Sequence, residues 1–68
     1  MKQVSGKDFI RLIERRGWSL SRISGSHHIF TKAGCRERVV VPVHGNKPLK
    51  IGLLKHLMNI AELGREEL

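Results

Sequence analysis

Three short runs of β-forming residues, parted by glycine-containing turns, occupy the middle of the chain and leave few folds open to it. Trp18–Ile23, His27–Lys32 and Arg38–Val43 are separated by Ser24-Gly25-Ser26 and Ala33-Gly34, and the last run holds four valines. Connections this short join neighbouring strands antiparallel, so the three runs predict a meander. Pro42 has no N–H to give a ladder, which places it at an edge or a strand end. In the first run Trp18, Leu20 and Arg22 alternate with Ser19, Ser21 and Ile23. That alternation is imperfect and leaves the phase of the strand open.

An amphipathic stretch lies on each side of the strands. Phe9, Ile10, Leu12 and Ile13 recur at helical spacing and predict a helix from about Gly6 to Arg16. Ser5 is a good N-cap, Asp8 stands three residues on as a variant capping box, and Val4 and Phe9 take the staple positions. Gly17 can take the left-handed stop. After a loop at His44–Leu49, the stripe Leu53, Leu54, Leu57, Ile60 and Ala61 predicts a second helix from about Lys50 to Glu62. Gly64 is expected to end it, with Arg65–Leu68 as a frayed tail or an extra turn.

The predicted order is α-β-β-β-α, an α+β fold. A three-stranded sheet needs one face covered, and two amphipathic helices are available to cover it. Both helices then lie on one face, and the other is left to solvent or a ligand. At 68 residues the chain, 1–68, has room for one domain. A core this small is marginal.

Composition removes several classes. Cys35 is the only cysteine, so no disulfide framework or thiolate cluster is expected. No apolar run approaches the roughly 18 residues of a membrane span, and no secretory signal is recognisable. A reducing cytoplasm is therefore expected, with no membrane partner. Charge points the other way, toward a partner. The chain carries +7 at neutral pH, and between Phe9 and Lys55 ten Lys and Arg stand against two Glu. Such a basic body fits a polyanion, most often nucleic acid, although small basic domains are also common for solubility alone.

Four histidines, His27, His28, His44 and His56, are the residues best suited to chemistry. Imidazole passes protons near neutral pH. Adjacent strand residues point to opposite faces. Phe30, the large apolar residue of its strand, should face the helices and take His28 with it. His27 then shares the open face with Ile29 and Thr31. A register shifted by one residue exchanges the two, so His28 stays the alternative. His44 follows the third strand and is a second acid–base or phosphate-contacting candidate. His56, mid-helix beside Lys55, reads as a solvated position. No histidine spacing matches a zinc signature and no acid lies near, so neither a metal site nor a cofactor is expected. Ser26 beside His27 lacks an elbow motif, and Cys35 reads as incidental.

RNA suits this short inventory because it brings its own nucleophile, the 2′-hydroxyl. One histidine moving a proton and a few cations holding the phosphate suffice, without a metal. Arg22, Arg38, Lys47 and Lys50 are the candidate phosphate contacts. A non-catalytic RNA-binding module is the alternative.

Three segments together resemble the HicA toxin family. They are Gly25-Ser26-His27-His28-Ile29-Phe30, Val40-Val41-Pro42-Val43-His44-Gly45-Asn46-Lys47 and Leu49-Lys50-Ile51-Gly52-Leu53-Leu54-Lys55. The likeness runs from about Lys7 to Leu63. It implies a double-stranded RNA-binding-domain type of fold, a bacterial mRNA interferase, and a HicB antitoxin that covers the site. It also implies one essential histidine after the Gly-Ser turn, which falls on His27. Ala61-Glu62-Leu63-Gly64 departs from the family's usual Ala-Gly-Leu ending.

Overall fold

Each predicted element is present in the computed structural model, which describes residues 3–68. Helix α1 spans Gly6–Arg15, strands β1, β2 and β3 span Ser19–Ser24, His27–Thr31 and Val39–Pro42, and helix α2 spans Ile51–Ala61. A short 3₁₀ turn, Arg65–Glu67, follows. The strands form one antiparallel sheet in the order β1-β2-β3. The α-β-β-β-α, α+β expectation holds.

Capping chemistry sets the first helix. The Ser5 hydroxyl accepts from the Asp8 N–H at 3.2 Å. The reciprocal half of a capping box is not made, because the Asp8 carboxylate pairs with Arg11 at 3.4 Å instead. Gly17, at φ 94°, closes the helix as expected, with Trp18 N–H reaching back to the Ile13 carbonyl. Gly6 is buried at the other end, and a Cβ there would strike the Pro42 carbonyl oxygen. The start of α1 therefore sits directly on the end of β3.

The second helix ends differently from expectation. Glu62, not Gly64, takes the left-handed position at φ 58°, and Gly64 instead opens the 3₁₀ turn at φ −91°. The cause is Leu63. Its N–H bonds the Met58 carbonyl at 2.9 Å, and the reversal two residues early buries its side chain to 8 % exposure. Glu62 thus occupies the glycine position of the family's Ala-Gly-Leu ending, at the steric cost of a left-handed Cβ. Glu62→Gly is expected to stabilise the protein by about 0.5–1 kcal/mol, after the extra unfolded-state freedom of glycine is subtracted. A thermal melt should rise by about 2–8 °C; an unchanged or lower midpoint would contradict the strain.

One face of the sheet holds the core. Phe30 and Val39 are paired, as are His28 and Val41. Phe30, Val39 and Val41 are buried against Phe9 and Ile13 of α1 and Leu54, Leu57 and Met58 of α2. His27, Ile29, Val40 and Pro42 take the opposite parity and form the open face. The helices pack over β3 rather than evenly over the sheet, and every residue of β1 is exposed.

Strand β1 carries a bulge. Leu20 pairs with Phe30 but Arg22 pairs with Ile29, so Ser21 is the extra residue. The bulge settles the phase that the alternation left open. Arg22 leaves the side of Trp18 and Leu20 and joins the open face, while Ile23, opposite His28, turns to the other. Trp18 is buried ahead of the strand.

Candidate functional site

The turn before β2 decides where His27 stands. Ser24 pairs with His27 across a two-residue loop, Gly25-Ser26. Gly25 lies at φ 59° while Ser26 keeps a negative φ, the pattern of a type II′ hairpin. Across β2, His27 opposes Pro42, and Val43 N–H bonds the Ser26 carbonyl at 2.8 Å. The residue is therefore fixed on both sides, one step from a tight turn, with an exposed ring on the open face. Its neighbour His28 is half-buried on the core side opposite Val41, and its Nδ1 is buried without a hydrogen-bond partner. The parity argument from Phe30 thus matches the register.

The loop after β3 is also held. The His44 carbonyl accepts from the Lys47 N–H at 3.1 Å, with Gly45 at φ 58° inside that turn. Leu49 N–H bonds the Val4 carbonyl at 2.7 Å, and Pro48 bridges to Ser5. Lys47 stands exposed on this tethered turn, and Lys50 caps α2 through its backbone alone.

A groove runs where β3 meets α2. One part, about 320 Å³, has His27, Arg38 and His56 as its polar lining, between Val40 and Pro42 on β3 and Leu53, Leu57 and Ile60 on α2. The adjoining part, about 360 Å³, is lined by His44, Lys47 and Lys50 with Pro48 and Leu49. Pro42 and Leu53 border both, so the two are neighbours. No Asp or Glu lines either part among the described residues.

Five residues singled out from the sequence, His27, Arg38, His44, Lys47 and Lys50, come together along this groove. Two do not. Arg22 lies on the open face two strands away from β3, and His28 lies on the other side of the sheet. His56 was missed. It is exposed, as its sequence reading held, but it opens onto the same space as His27. Its spacing from Leu53 and Ile60, three and four residues, was the available signal.

Fold and groove together define a small cationic α+β domain with imidazoles set among lysines and arginines. Residues 6–63 match the family described as HicA toxin of bacterial toxin–antitoxin systems, and the chain belongs to that family. The resemblance drawn from the Gly-Ser-His turn and its companion segments is borne out. The protein is accordingly a toxin whose family works in pairs with an antitoxin. No curated protein matches the chain at a significant level. Among the described residues no helix is long and apolar enough to cross a membrane.

Proposed function

We propose that this toxin is an endoribonuclease that cuts mRNA in the cytoplasm by moving protons through His27, with no metal ion or cofactor. The observation that supports it most is the company His27 keeps: an exposed residue on a fixed strand start, in a compartment with Arg38, with Lys47 and Lys50 lining the neighbouring one. In this reaction the 2′-oxygen attacks the neighbouring phosphorus as the bond to the 5′-oxygen breaks. One group removes the 2′-hydroxyl proton and one protonates the departing oxygen. His27 serves one of these transfers. Arg38, Lys47 and Lys50 hold the phosphate as its charge builds, with His44 beside them as a further phosphate contact or acid–base group. A HicB-like antitoxin silences the protein by covering the groove.

The direct test incubates purified protein with mRNA in excess chelator. Fragments ending in 2′,3′-cyclic phosphate and 5′-hydroxyl are the expected products. RNA that is retarded in a gel yet stays intact would replace this reading with a binding module. The lysines give a separate expectation. Lys47→Gln with Lys50→Gln should weaken RNA binding, and the slope of log affinity against log salt should shrink by about 1.4, roughly 0.7 for each lost phosphate contact on a single strand. An unchanged slope would place the RNA elsewhere.

A further inference from the structure

Cleavage through the 2′-oxygen needs two proton transfers, and His27 alone supplies one at a time. Resting on the ribonuclease reading above, we propose that His56 is the second catalytic residue, so that His27 and His56 divide the acid and base roles across the groove.

The other histidines fit this role less well. His28 faces the core side of the sheet, behind the strand from His27. His44 lines the adjoining part of the groove with the two lysines. Of the other histidines, His56 alone lines the same compartment as His27, His27 coming from the start of β2 and His56 from α2. Arg38 lines the same compartment. A phosphodiester seated there would meet two imidazole-bearing residues from different elements, with Arg38 as the cation in the same lining. In-line displacement places the entering and leaving oxygens on opposite sides of phosphorus, so the acid and the base must come from two separate groups, which a strand residue and a helix residue in one compartment can supply. The helix also has reason to hold His56 steady. Leu57, the next residue, is 3 % exposed, and Leu53 and Ile60 flank the imidazole along the same wall.

The step balances. One neutral imidazole takes the proton from the 2′-hydroxyl as the O2′–P bond forms. The other, entering as imidazolium, gives its proton to the 5′-oxygen as the P–O5′ bond breaks. Each then exchanges a proton with water before the next turnover, and no oxidant, reductant or metal is required.

A leaving-group substitution tests this directly. An oligoribonucleotide is made with sulfur in place of the bridging 5′-oxygen at the position the wild-type protein cuts. A thiolate departs without being protonated, so this substrate no longer needs the acid. His56→Ala and His27→Ala are each expected to cut ordinary RNA roughly 10²–10⁴-fold more slowly. The sulfur substrate should then return one of the two variants, and only one, to within about tenfold of wild type. His56 is exposed and alanine is a good helix former, so His56→Ala should melt like wild type. His56→Ala at wild-type rate on ordinary RNA would overturn the proposal. So would a defect in both variants that sulfur leaves unrelieved in each, or relieves in each. Wild-type protein that cuts neither substrate is a different failure, because it removes the ribonuclease reading itself.

Discussion

His27→Ala should fold like the wild type, cut RNA roughly 10²–10⁴-fold more slowly, and no longer arrest growth when expressed. The expected size follows from losing a positioned proton-transfer group while the phosphate contacts remain. Folding should be spared because the ring is exposed and closes no part of the core. Exposed substitutions of this kind change stability by about 0.5 kcal/mol or less. His28→Ala is the informative companion. That ring is half-buried opposite Val41, so its loss should lower the melting temperature more than the cleavage rate. RNA integrity after induction, followed with melting curves of both proteins, separates the two. Full activity in His27→Ala together with a dead but folded His28→Ala would move the role one residue along the strand.

Phe30→Ala is expected to cost the protein most or all of its folded population. Phe30 is 1 % exposed, pairs with Val39 on β3, and shares a core with Phe9, Ile13 and Leu54. Removing a buried phenyl ring costs about 3–5 kcal/mol. A 68-residue domain has roughly 3–10 kcal/mol in total. The loss is thus comparable with the whole stability, and among the described residues one cluster makes up the core. Circular dichroism should show a broad, early or absent melt, and RNA cleavage should vanish along with the fold. A sharp transition within a few degrees of wild type would mean that the core tolerates a hole at its centre. The contrast with His27→Ala is the useful part: one variant is inactive and folded, the other inactive because unfolded.

Much of this was legible from local chemistry. Ser5 and Gly17 marked the ends of α1 because a cap and a left-handed stop are decided within four residues. Phe30 oriented His27 because the alternation of a strand is strict once one buried residue is known. The misses also have physical causes. Nothing in Ser19–Ser24 signalled the bulge, because a strand exposed throughout has no buried side to impose a pattern. The expected helix stop fell on Gly64 because glycine is the usual left-handed residue, whereas burial of Leu63 forced that conformation onto Glu62. The groove itself depends on where α2 lies relative to β3. These elements are joined by a loop whose sequence does not state their angle, so His56 could be placed on a helix but not in the compartment that His27 lines.

The hydrogen bond from Leu49 to Val4 has a practical reach. It makes the opening of the chain and the lysine-bearing turn one mechanical piece, anchored at Pro48 and Ser5. Slack introduced ahead of Val4, by trimming or by a bulky fusion, would pass through that anchor to the turn that carries His44 and Lys47 before it reached His27 on β2.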